Sequence, residues 1–231
     1  MTYRKIGRRE AIVLIGAAGA AAVAGCGGDS PTAPSTETGG TTGGSTNSAC
    51  AVTPTETVGP FPSLTDLIRS DIREGKAGTP VTLTITVVNS SNNCSPVAGA
   101  NVEIWQCDAS GNYSQYGSQS AQTYLRGIQL TDANGQVTFT TIYPGWYQGR
   151  ATHIHAEVVR NGTSVKVTQF AFPEATNAAV YGTGVYASRG TNPTANTRDS
   201  IFADSINSEL ATVTGDPASG LSAAFRIGIS G

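Results

Sequence analysis

The chain has 231 residues, of which 39% are hydrophobic and 13% charged, with a formal net charge of -2. Once an export segment and a tether are set aside, that is the size of one ordinary domain with a single core. The charge balance shows neither a basic patch for nucleic acid nor an acidic tail, and 28 Gly, 11 Pro and one Met suit a loop-rich β protein better than a helical bundle.

Arg4, Lys5, Arg8 and Arg9 precede an apolar run from Ala11 to Ala24 that ends in small residues, the pattern of an export signal over residues 1–25. The run is short for a membrane-spanning helix. Val23-Ala24-Gly25-Cys26 is similar to a lipoprotein processing box, so Cys26 is expected to carry a lipid that holds the mature protein at the outer face of a bacterial membrane, in the periplasm or at the cell surface. Arg8-Arg9 followed by Glu10 also resembles a twin-arginine signal. Residues 26–49 are mostly Gly, Ser, Thr and Pro, which cannot bury enough apolar surface to offset the entropy of ordering; they read as a flexible tether, and residues 50–231 as the folded domain.

With Cys26 lipidated, Cys50, Cys94 and Cys107 remain in an oxidising compartment and allow one internal disulfide. If Val97 to Cys107 is one extended strand, Cys94 and Cys107 sit tens of ångströms apart at ~3.3 Å per residue. Cys50 is therefore expected as one partner, with Cys94 or Cys107 as the other.

Val81 to Val88 alternates apolar residues with Thr, Val97 to Cys107 is rich in apolar and β-branched residues, and Gln136 to Ile142 alternates again. Asn89 to Pro96 and Asp132-Ala-Asn-Gly135 have turn chemistry. His153 to Val159 and Val165 to Phe172, split by Arg160-Asn161-Gly162, predict a hairpin, and Leu221 to Ile229 a last strand. Only Arg198 to Leu210 has a helical look. The fold class expected is all-β, an antiparallel β-sandwich with long functional loops and little helix.

The two histidines of the chain both lie in His153-Ile154-His155 on a predicted strand. Alternation turns both imidazoles to one face, as a metal-binding pair requires. Zinc would need further His or Cys ligands, and the cysteines are better explained by lipid and disulfide. Tyrosinate is the remaining donor, a hard anionic ligand suited to Fe(III).

Further motifs stand in a fixed order: Thr53-Pro54 with Gly59-Pro60-Phe61, Ile104-Trp105 through Gly111-Asn112-Tyr113-Ser114, and Arg126-Gly127. Tyr143-Pro-Gly-Trp-Tyr147 then leads to Arg150-Ala-Thr-His153-Ile-His155, followed by Thr168-Gln169-Phe170 and Tyr186 to Gly190. From Thr53 to Ile229 the chain resembles the intradiol ring-cleavage dioxygenases, most nearly the protocatechuate 3,4-dioxygenase branch and its exported relatives. The resemblance implies a non-haem Fe(III) centre held by Tyr113, Tyr147, His153 and His155, with Tyr147 and His155 axial. It implies Arg150 and Gln169 beside the metal with Tyr147 as proton acceptor, and a substrate pocket at Trp105, Gly59 and Pro60. Tyr116, Tyr124 and Tyr143 are expected to pack.

The activity so implied is cleavage of a catechol-type small molecule by O2 to a cis,cis-muconate-type diacid. Catechol, protocatechuate and hydroxyquinol all fall within that class. A non-catalytic transthyretin-like or adhesin-type binding module at the cell surface is the reading from another class, suggested by Pro96 to Ala100 with Thr131 to Gly135. An exported copper or zinc hydrolase is a third.

Overall fold

The structure, a computed structural model, describes residues 50–231; the export segment, Cys26 and the tether lie outside the described residues. Alternation makes the first sheet. In β1 (Pro80–Asn89), Val81, Leu83, Ile85 and Val87 are buried while Thr82, Thr84 and Thr86 point outward. β5 (Gln136–Ile142) pairs antiparallel with β1 and repeats the pattern, with Val137 and Phe139 inside. β9 (Gly220–Ile229) lies parallel to β1 on its other side, so the first and last strands are neighbours inside the sheet, and β8 (Thr212–Asp216) forms one edge. β2 (Ser95–Pro96) adds a short antiparallel step to β1.

The second sheet is antiparallel throughout, in the order β4 (Arg126–Leu130), β3 (Asn101–Trp105), β6 (His153–Arg160), β7 (Thr163–Ala171). Val102, Ile104, Ile154, Val158 and Phe170 from this sheet meet Leu83, Ile85, Phe139 and Phe225 from the first in one core. Phe170 stacks on Phe225 with centroids 4.5 Å apart, and each such buried side chain contributes about 1.5–3 kcal/mol. The expected β-sandwich is therefore present, with β1 and β9 as a parallel exception to its antiparallel rule.

Two local expectations change. Val97 to Cys107 is not one strand: the Thr131 hydroxyl accepts from the Ala100 amide at 2.9 Å and donates to the Val97 carbonyl at 2.7 Å, while Gly99 takes φ +71°. This side-chain clasp makes a turn, and the strand begins only at Asn101. Arg198 to Leu210 is not a helix but bends between 3₁₀ turns at Asn196–Arg198 and Ile206–Ser208, whereas the one α-helix of the described residues is α1 (Glu174–Tyr181). Pro173 at the N-cap of α1 offers a preset backbone angle but no capping side chain. Cys50 pairs with Cys94, and Cys107 is a free, buried thiol that burial pushes up to about 12.

Candidate metal centre

Register assembles the site. Trp105 pairs with Arg126 on one side and His155 on the other, and His155 pairs with Gln169. Directly paired residues project to the same face, so Arg126, Trp105, His155 and Gln169 form one row across all four strands, on the face away from the core. Loops bury that row completely: all four side chains have 0–1% exposure. His153 shares the face two residues along β6.

The two imidazoles converge. His153 Nε2 lies 3.1 Å from His155 Nε2, and the His153 Nδ1–H donates to the Ala151 carbonyl at 2.6 Å, which leaves Nε2 as its unprotonated nitrogen. Trp105 backs the His155 ring with centroids 4.9 Å apart and planes 7° from parallel, a buried support and not an open wall. The Gly59 backbone covers the other side at φ +72°, where a Cβ would stand 2.9 Å from His155 Cε1. Only glycine meets both demands. Pro60 is exposed at the rim.

Two phenols face the pair from loops. Tyr113, in the segment between β3 and β4, and Tyr147, just after the Pro144-Gly145 turn, have ring centroids 5.7 Å apart; Tyr113 lies 6.2 Å from His155 and Tyr147 5.5 Å from His153. Gly145 lets that turn lie against the Asp108 carbonyl, 2.4 Å from where a Cβ would be. Phe61 stacks on Tyr113 at 4.8 Å and meets Tyr147 edge-on at 6.1 Å. Arg126 fixes this wall by donating to the Phe61 carbonyl at 2.9 Å and to the Ser114 hydroxyl and carbonyl at 2.9 and 2.6 Å. By contrast Tyr143 lies in the core against Phe172, Tyr124 is buried beside Lys76, and Tyr116 donates to the Pro62 carbonyl.

The donors suit a cation. The buried Tyr113 Oη has no hydrogen-bond partner among the described residues, and such an orphaned atom needs an explanation. A separation of 3.1 Å also suits two nitrogens bound at ~2.1 Å to one ion. The described residues contain no group of three or more His, Cys, Asp or Glu able to hold a metal, so an ion at this pair would need donors of another kind, such as the two phenols. Burial, then Arg150, lowers His153 to about 3, and burial and His153 hold His155 well below the usual range, so both rings are neutral at ordinary pH. Burial raises both phenols, Tyr113 well above its ordinary value, which only a strongly charged ion would reverse.

Arg150 and Gln169 stand beside these groups. Arg150 donates through one terminal nitrogen to Gln169 Oε1 at 2.7 Å and through the other to Tyr147 Oη at 3.4 Å. Gln169 Nε2 donates to the Thr57 carbonyl at 2.8 Å, which ties in the segment carrying Gly59. Sequence reasoning missed what holds that segment: Lys166 Nζ donates to the Thr53 carbonyl and the Thr55 hydroxyl at 2.6 and 2.8 Å. It also missed Phe61 as a wall and Asp199 behind Arg150; only the adjacency of Phe61 to Gly59-Pro60 hinted at either.

A dioxygenase family model matches residues 58–181. Over 108 residues the chain is 32% identical to catechol 1,2-dioxygenase of Candida albicans, covering 37% of this chain and 36% of that protein. It is 30% identical over 122 residues to the protocatechuate 3,4-dioxygenase beta chain of Burkholderia cepacia, covering 47% and 51%. The chain thus spans between a third and about half of these relatives. An intradiol ring-cleavage dioxygenase structure from Tetranychus urticae superposes with a TM-score of 0.70 at 30% identity, over 78% of this chain and 95% of that one.

Proposed function

The chain belongs to the intradiol ring-cleavage dioxygenase family, and from that premise we propose that it uses O2 to open a catechol-type aromatic between its two hydroxyls, giving a cis,cis-muconate-type diacid. The supporting observation is the convergence of two neutral imidazole nitrogens 3.1 Å apart with a buried phenol oxygen that no described protein group satisfies. His153, His155, Tyr113 and Tyr147 would hold non-haem Fe(III), for which two phenolates and two imidazoles are a suitable donor set. Bound there, ferric iron would supply the Lewis acidity that draws protons from phenols and makes a chelated catechol reactive toward O2.

The chain's own groups do the rest. Tyr147, a half-buried residue whose Oη the Arg150 guanidinium contacts, would as phenolate take a proton from an incoming catechol hydroxyl. The Arg150 guanidinium stabilises negative charge gathering on the substrate oxygen. Gln169 locks the guanidinium and the Thr57 segment of the wall together. Phe61, Gly59 and Pro60 line the entrance, and Trp105 keeps His155 in place. The binding-module reading gains no support from a face whose polar groups are buried and whose phenol is left unsatisfied.

Export and a lipid on Cys26 complete the reading, motivated by the processing box and the polar stretch after it. Mass spectrometry of the mature N-terminus checks the anchor; an unmodified terminus elsewhere would sink it. For the chemistry, the iron-loaded protein is screened for oxygen uptake against catechol, protocatechuate and hydroxyquinol, with the product identified. A coloured protein with one iron per chain that yields intradiol product is expected; extradiol product, or no uptake with any of the three, overturns the assignment.

A further inference from the structure

Asp199 lies fully buried just past the 3₁₀ turn Asn196–Arg198, outside every motif discussed above. Its Oδ2 accepts from Arg150 Nε at 2.8 Å and from the Ala151 amide at 2.6 Å, while Oδ1 accepts from the Ile201 amide at 2.8 Å. The Ala151 carbonyl in turn accepts from His153 Nδ1. One carboxylate therefore grips both the arginine beside the site and the residue that orients a site histidine.

A guanidinium is planar, so fixing two of its edges determines where the third points. Asp199 holds the Nε edge and Gln169 one terminal nitrogen; the remaining nitrogen is then the one 3.4 Å from Tyr147 Oη. We propose that Asp199 is a positioning residue for ring cleavage, its charge keeping Arg150 aimed at the phenol and substrate oxygens; the Ala151 amide needs only an uncharged oxygen acceptor, so loss of the charge acts on the reaction through Arg150. This rests on the ring-cleaving reading of the site. Without the carboxylate, the long arginine side chain regains its rotamers, and its tip is free to turn toward solvent past the half-covered Tyr147.

Asp199→Asn keeps the shape and deletes the charge, and Asp199→Glu keeps the charge at a changed reach. With catechol as probe, Asp199→Asn is expected to lower kcat about 10- to 100-fold with little change in KM or iron content, the scale at which groups supporting a site act. In an Arg150→Ala background the same change should cost less than about twofold, because the group it acts through is gone. Asp199→Glu should recover part of the rate. Equal losses in both backgrounds would overturn the proposal, as would a change confined to melting temperature.

A second readout needs no turnover and serves if a variant folds poorly. In the wild-type protein the Arg150 Nε–H should give a single, slowly exchanging NMR signal, and in Asp199→Asn a fast-exchanging one. A wild-type signal already in fast exchange refutes the positioning role. A wild type that cleaves no catechol while the signal behaves as expected refutes the functional reading and leaves the positioning of Arg150 standing.

Discussion

On the sheet that carries β1, the outward positions Thr82, Thr84, Thr86 and Thr138 lie at least partly open to solvent, and the inward positions, Thr141 excepted, are aliphatic or aromatic. On the sheet that carries β6 the inward positions are mostly apolar, with Thr168 and Lys166 of the edge strand β7 among the exceptions, but the outward ones, Trp105, Arg126, His153, His155 and Gln169, are buried as well. The same two-residue alternation serves both. The difference is a layer of loops over the second sheet, which turns a row of polar side chains from a wetted surface into a low-dielectric site where every unmet hydrogen bond is costly and every charge acts strongly. Chemistry here is placed on the outside of a sheet and then roofed over.

The largest break in that comparison should come from the roofed face. His155→Ala removes one of four proposed ligands with no spare histidine in the chain, so it should lose most of its iron and essentially all ring cleavage, read by metal analysis and oxygen uptake. Full iron with full activity would refute the site. Arg150→Ala should keep iron and visible colour yet lose about 100-fold in kcat, roughly 3 kcal/mol, since one preorganised donor to developing charge is gone.

The roof itself carries a pH signature. Burial, then Glu56, raises the Glu209 carboxyl from an ordinary 4.5 to about 7, against the hydrogen bond from Ser205 at 2.5 Å; Lys166 and Asp204 are the other charges near it. The folded state thus holds a proton the unfolded chain releases. The stability this group confers is complete below about pH 4.5 and fades as pH rises through 7, by at most about 3 kcal/mol. Glu209→Gln should flatten melting temperature between pH 5 and 8 and raise it at the alkaline end; an unchanged slope would show that Glu209 titrates normally.

Gly59→Ala should cost about 1–2 kcal/mol for the left-handed backbone alone and weaken iron binding further by pressing on His155, measured by thermal melt and iron titration. The smallest effect belongs to the open face. Thr84→Val, which removes only a 3.5 Å contact with Thr138, should stay within about 0.5 kcal/mol and leave turnover unchanged.

This contrast also explains what the sequence made legible. β1, β5 and β9 alternate in the chain as they do in space, and His153-Ile154-His155 could be placed on one face from spacing alone. The phenols could not: Tyr113 and Tyr147 sit on loops, where no periodicity says which way a ring points, and only the family's motif order singled them out from six other tyrosines. Neither Asp199 nor Lys166 was found, because each works through a contact with a distant segment. Arg198 to Leu210 looked helical by composition, yet Asp199, Ser205 and Glu209 spend their hydrogen bonds on backbone and side chains that a regular helix would turn away from.

The bond between Cys50 and Cys94 gives the molecule a defined load path. The strip from Thr53 to Gly59 forms part of the roof, fastened by the Thr53–Gly228 amide pair, Lys166 and Gln169, and ends against His155. Any pull on the chain ahead of residue 50 would, without a clamp, peel that strip one hydrogen bond at a time toward the site. The disulfide diverts the tension into the turn after β1 before it reaches Thr53, so the strip bears no force and the geometry around His155 is mechanically insulated from whatever the N-terminal segment is attached to.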